Sequence, residues 1–131
     1  MSANVKVTVV LHFTDEYLGN ILVTAFDGQY GGCWFWAEPK GPNWLVTAPD
    51  SDDCPFHWKS CTVREKEASN GTKRKWAVVD HEMVARGIQR VLESKGREHL
   101  KQRLLSGDDD IDSYGADTII QFAIFGEEVY G

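Results

Sequence analysis

The C-terminal quarter of the chain limits the fold more than any other stretch. Between Asp117 and Phe125 only Thr118 and Gln121 interrupt an apolar run of Ile119, Ile120, Phe122, Ala123, Ile124 and Phe125. A surface helix carries one apolar stripe, so apolar side chains on nearly every face require an element packed on most sides. The run therefore predicts a buried central helix. Asp112 or Ser113 supplies its N-cap, Asp117 adds negative charge where the helix dipole favours it, and Gly126 supplies a left-handed stop. Whatever fold the chain adopts has to wrap around this helix.

Two more helices precede it. Asp80 caps a helix over about His81 to Ser94, in which Val84, Ile88, Val91 and Leu92 share one side, Glu82 lies in the acidic first turn and Gly96 permits termination. Gly87 lowers intrinsic helix stability, but its missing side chain allows close packing by the C-terminal helix. Glu98 to Leu105 predicts a shorter helix that sends Leu100, Leu104 and Leu105 to the core before Gly107 ends it. Ahead of these lie strand signals. Val5, Val7, Val9 and Leu11 alternate with other residues up to Phe13, and Ile21 to Phe26 reads as a second strand ended by Asp27-Gly28. Trp34 and Trp36 would anchor one strand face with Phe35 on the other, and Trp44 to Val46 would begin a short strand after a turn at Pro39 to Pro42. Asn70-Gly71 marks a tight hairpin turn joining Cys61 to Glu67 and Lys73 to Val79. Strands before helices predict an α+β fold, with an N-terminal antiparallel or mixed β-sheet packed against two or three C-terminal helices. At 131 residues the expectation is one domain over 1–131, strand-rich over 1–79 and helix-rich over 80–131.

Charge is distributed unevenly along this chain. The net charge of −6 divides into −5 over residues 1–58, +6 over 59–103 and −7 over 104–131, a last segment with no basic residue. The overall sign disfavours nonspecific attraction to nucleic acid. No run reaches transmembrane length and no secretory leader pattern opens the sequence, so a cytosolic protein without membrane contact is expected. Three cysteines, Cys33, Cys54 and Cys61, cannot all pair within one chain and are expected to be reduced.

The residues that carry chemistry are sparse. Tyr30, Trp34, Phe35, Trp36 and Trp44 concentrate aromatic surface of the kind found at binding hot spots, although anchoring of a strand in the core is the stronger reading of the same rings. Lys66, Lys73, Arg74 and Lys75 make a basic patch near Trp76, a landing site for a phosphate backbone or an acidic protein unless it is simply a solvated hairpin. The interaction residues expected from these two stretches are Trp34, Trp36, Lys73 and Arg74. Cys54, His57 and Cys61, with Cys33, have the residue types of a structural zinc site, but their spacing matches no paired ligand motif, and no metal is assigned. Asp50, Asp52 and Asp53, like Asp108, Asp109, Asp110 and Asp112, read as solvated carboxylates rather than a cation cage. Neither phosphate-loop glycine pattern is present, and Ala85 stands where the second histidine of a zinc-protease helix would be. His12, His57, His81 and His99 belong to no catalytic motif, so neither a catalytic residue nor a cofactor is assigned.

The helix stretch VVDHEMVARGIQRVLES, the acidic segment after it and the ending GADTIIQFAIFGEEVYG resemble an uncharacterised family of small accessory proteins of actinobacterial tailed bacteriophages. The resemblance covers roughly residues 76–131 and rests most on Asp112, Asp117, Gln121, Phe125, Gly126, Tyr130 and Gly131. It implies an accessory or regulatory protein in the cytoplasm of an infected host, acting by binding a host protein. A second copy of the chain is the other expected partner. The alternatives are a small structural zinc domain, a virion-associated protein and a Cys/His-dependent enzyme.

Overall fold

The computed structural model describes residues 10–27, 31–46, 56–66, 76–108 and 110–131, with the backbone alone described at 41–46 and 56–57. Its element order is α1 (Asp15–Phe26), β1 (Ala37–Val46), β2 (Phe56–Glu65), β3 (Ala77–Asp80), α2 (His81–Glu93), α3 (Glu98–Ser106) and α4 (Ser113–Phe125). The fold is α+β. The strands form an antiparallel sheet in the order β1-β2-β3, and α1 packs against β2.

The helical half follows from local signals. Asp80 accepts from Met83 N at 2.9 Å, and Asp112 accepts from Gly115 N at 2.7 Å, so each carboxylate satisfies an otherwise orphaned first-turn donor. Gly107 and Gly126 end α3 and α4 in left-handed conformation at φ 71° and 79°. Helix α4 is the core element: Ala116, Ile119, Ile120 and Gln121 are fully buried between α1 and α2. At the closest point of α2 a Cβ on Gly87 would stand 2.3 Å from Ile119 O and 3.0 Å from Ala123 Cβ. Only glycine lets the two helices meet there. Arg90 donates from Nη1 to the carbonyl oxygens of Phe122 and Ala123 at 2.8 and 3.1 Å, tying α2 to the last turn of α4, where Phe122 O also accepts from Gly126 N at 3.0 Å.

Several expectations are corrected. Ile21 to Phe26 is not a strand but the second half of α1. Thr14 caps that helix through Tyr17 N at 3.1 Å, and Leu18, Ile21, Leu22 and Ala25 form its buried stripe. Of the predicted first strand, residues 1–9 lie outside the described residues and 10–13 form no regular element. Pro39 and Pro42 do not turn the chain. They sit inside β1, an edge strand, with a register irregularity between them, which is where a sheet accepts residues lacking an N–H. The β2–β3 pairing is antiparallel as expected, in the register Thr62↔Val78 and Cys61↔Val79, while the Asn70-Gly71 turn lies outside the described residues. Leu105 points to solvent at the end of α3, so Leu104 is that helix's fully buried leucine. Among the described residues no helix is long and apolar enough to cross a membrane.

Candidate functional site

The turn over residues 31–36 is docked on the end of α1, with Gly32 N and Cys33 N donating to the carbonyls of Thr24 and Ala25 at 2.9 and 3.0 Å. Its other side meets the start of α4 so closely that a Cβ on Gly32 would stand 2.0 Å from Ser113 O. Held from both sides, the turn sorts its aromatic residues by direction. Trp36 is buried, at 3 % exposure, whereas Trp34 is 57 % exposed and Phe35 40 %. The expectation of a strand with both tryptophans on one face fails because these residues form turns, in which direction does not alternate by two. Trp36 is therefore corrected from an interaction residue to a core residue.

What holds Trp36 inward is a polar cluster that spans the chain. Its Nε1 donates to Asp117 Oδ1 at 2.7 Å, and Gln121 Nε2 donates to both oxygens of the same carboxylate at 3.0 and 3.1 Å. Asp117 is thus a buried acceptor, not an exposed first-turn charge. Burial raises its pKa above the ordinary aspartate value, partly offset by the hydrogen bonds from Trp36, Gln121 and Cys33. Gln121, which reads in the sequence as a polar interruption of an apolar run, is the anchor of the C-terminal tail. Its Oε1 accepts from Val129 N and Tyr130 N, each at 2.8 Å, and its Nε2 donates to Tyr130 O at 2.9 Å. The tail then folds back so that the Tyr130 ring stacks on Trp36, with centroids 5.3 Å apart and planes 5° from parallel. Tyr130 Oη donates to Glu65 at 2.8 Å, and Glu128 pairs with Arg97 at 2.7 Å.

Turn, tail and α4 enclose a cleft of about 550 Å³. Trp34 and Phe35 line one side, Ser113, Tyr114 and Thr118 the other, with Asp117 and Glu128 also in the lining. Tyr114, at 83 % exposure, projects from the first turn of α4. Sequence reasoning missed Tyr114, because a tyrosine beside a helix cap gives no local sign that another segment will bring Trp34 and Phe35 next to it.

A second aromatic surface lies on the sheet. Trp76, 41 % exposed, has Arg64 Cζ 4.5 Å and Lys40 Nζ 5.6 Å from its ring centroid. Lys66 Nζ lies 5.6 Å over the Trp34 ring. Of the expected basic patch, Lys66 stands over Trp34 rather than Trp76, the cations at the Trp76 ring are Lys40 and Arg64, and Lys73, Arg74 and Lys75 lie outside the described residues.

The remaining chemistry is quiet. Cys33 and Cys61 are buried thiols outside any disulfide; burial, then Asp117, pushes the Cys33 thiol up, and burial pushes Cys61 up to about 11. Thiols held protonated in apolar surroundings are poor nucleophiles and poor metal ligands. Cys54 and the His57 side chain lie outside the described residues, among which no group of three potential ligands could hold a metal ion. His81 contacts Asp15 Oδ1 at 3.2 Å and Trp58 O at 2.7 Å, joining α2 to α1 and β2, and His99 accepts from Arg103 at 3.1 Å. Asp108 and Asp110 organise the approach to α4: Asp110 N donates to Asp108 Oδ1, and Arg103 reaches Asp108 Oδ2 at 3.5 Å and Asp110 O at 2.7 Å. Comparison of the chain with protein-family models, curated proteins and solved structures returned no match.

Proposed function

We propose that this protein acts by binding another protein, with Trp34, Phe35 and Tyr114 as the contact residues and without catalysis at the cleft they line. The observation that carries the reading is the exposure of three aromatic side chains around one cleft, on a turn and a helix start that are themselves held by backbone contacts and a cap. Exposed rings on a rigid support give large contact area with little ordering penalty, the usual composition of interface hot spots. The carboxyl beside the cleft is occupied by Trp36 and Gln121, and the thiol bonded to it is buried and protonated. These groups support a structural role for Asp117 and Cys33 rather than a Cys/Asp-dependent reaction. The resemblance of residues 76–131 supplies the setting we propose: a phage accessory protein in the host cytoplasm, with a host protein in the cleft.

The test begins with affinity capture from an actinobacterial host and continues with the captured protein purified and titrated against wild type, Trp34→Ala and Tyr114→Ala. Loss of a central aromatic anchor should weaken a genuine complex by about 30-fold or more, with thermal unfolding little changed because both side chains are exposed. Binding indifferent to both substitutions would refute the cleft as the interface. Turnover of a defined metabolite would favour an enzyme, and recovery only in assembled particles would favour a virion component.

A further inference from the structure

We propose that the solvent face of the sheet is a binding site for single-stranded nucleic acid, centred on Trp76. This goes beyond the cleft reading: it shares only Trp34 with the cleft and is carried by the cations around Trp76.

From Cys61 to Arg64 on β2 and at Val78 and Val79 on β3 the side chains sort by face. Cys61, Val63 and Val79 are buried beneath the sheet, while Thr62, Arg64 and Val78 alternate with them on the other side. Trp76 stands two residues before Val78 and so shares its face. Glu38, paired with Arg64 in the β1–β2 register, completes the row. On this face Arg64 lies 4.5 Å from the Trp76 ring centroid, a stacking distance, and Lys40 approaches the same ring. Just past the end of β2, two residues after Arg64, Lys66 repeats the arrangement over Trp34. Cation and exposed indole thus occur twice in succession.

Glu38 does more than offset one charge. It accepts from Arg64 Nε at 3.0 Å and from Nη2 at 3.3 Å, a two-point grip that fixes the guanidinium plane beside the indole. A fixed planar cation next to an exposed ring is a ready surface for an unpaired base, and Lys40 and Lys66 supply charge for the phosphates that flank it. An acidic peptide would engage the cations but gain little from the indoles. Duplex DNA would hide the base faces that the indoles can stack on, and this face carries no helix or ribbon to enter a groove. The overall charge of −6 does not oppose local binding, because the acidic excess is concentrated in residues 104–131, whereas these cations come mostly from the basic middle segment.

The test is fluorescence anisotropy of a labelled oligothymidylate of about 15 nucleotides, titrated with the full chain at low and moderate salt. Saturable binding is expected, with log affinity falling against log salt at a slope of about −1.4 for the two phosphate contacts of Lys40 and Lys66. Trp76→Ala should weaken binding about 10-fold or more while Trp76→Phe retains most of it, and Lys40→Ala should weaken it and flatten the salt slope. Circular dichroism and thermal unfolding check the variants; if Trp76→Ala is misfolded, the Trp76→Phe and Lys40→Ala pair carries the test. No saturable binding, or binding indifferent to Trp76→Ala in a folded variant, overturns the proposal. So does tighter binding of a duplex. Displacement of the oligonucleotide by polyglutamate, in binding that needs Lys40 and Arg64 but not Trp76, overturns it in favour of an acidic protein partner.

Discussion

Replacing Gly87 by alanine sets two effects of known sign against each other. In an exposed helix interior the change stabilises by about 1 kcal/mol, because alanine loses less backbone freedom on folding. Here the new methyl would stand 2.3 Å from Ile119 O and 3.0 Å from Ala123 Cβ. A carbon normally approaches a carbonyl oxygen to about 3.3–3.6 Å, so α2 and α4 must separate by roughly 1 Å at this point. The nearest obstacle is backbone, which cannot rotate away as a side-chain end can. Separation would loosen Val84, Ile88 and Val91 of α2, all fully buried, and lengthen the Arg90 bonds to Phe122 and Ala123. Overpacking of a core typically costs about 1–3 kcal/mol, and a rigid obstacle places this site toward the upper end. The expected net effect is a loss of about 1–2 kcal/mol, read as a lower midpoint in urea unfolding at unchanged slope. Gly115→Ala is the internal reference. Its methyl would meet Ile111 Cγ2 and Leu100 Cδ1 at 3.0 Å and Asp112 Oδ1 at 3.2 Å, all side-chain atoms, so its stability should stay within about 1 kcal/mol of wild type. A Gly87→Ala protein as stable as wild type, or more so, would refute the argument that backbone contact sets the spacing of these helices.

Three further outcomes follow from the buried polar cluster. Gln121→Leu keeps the volume but removes the tail's anchor, and should destabilise by about 1–3 kcal/mol, with faster hydrogen exchange at Val129 and Tyr130 and altered Trp36 fluorescence; unchanged exchange at both amides would contradict the anchoring role. Asp117 has a folded-state pKa raised above the ordinary 3.8, so the folded form holds its proton to higher pH than the unfolded chain does. The stability of wild type relative to Asp117→Asn should therefore fall as pH rises from just below 3.8 through the raised pKa and then level off, and a relative gain over that window in urea titrations would show the sign to be wrong. Cys33 and Cys61 should resist iodoacetamide in the native protein and react once it is unfolded, as mapped by peptide mass; native labelling of either would contradict their burial.

The sequence was most legible where its signals are local. Asp80 and Asp112 cap the helices expected of them, Gly107 and Gly126 stop theirs, and Gly87 meets α4 at the close approach its missing side chain suggested. Helix α1 was missed although its signals are also local. Thr14 followed by Asp15 and Glu16 is a helix start, and Leu18, Ile21, Leu22 and Ala25 have helical spacing. The β-branched run from Ile21 outweighed them, and propensity gave way to the burial that one continuous stripe achieves. The site was legible only in part. Trp34 could be named as an exposed aromatic, but Trp36 could not be told from it, since its inward direction depends on Asp117, 81 residues away. Gln121 offered even less, because a single glutamine in an apolar run gives no sign that it will stand in for a neighbouring strand.

The burial of α4 also bears on synthesis. This helix leaves the ribosome after every element it packs against, so α1 and α2 emerge with Leu22, Val84 and Ile88 still lacking their cover. Charges Lys95, Arg97, Lys101 and Arg103, and then Asp108 to Asp112, are made in the interval, and they put a strongly charged leash on an otherwise sticky nascent domain. A solvated acidic linker at that point needs no ligand to account for its charge: charged segments of this kind oppose association of exposed apolar surface, and here they precede the helix that closes the core.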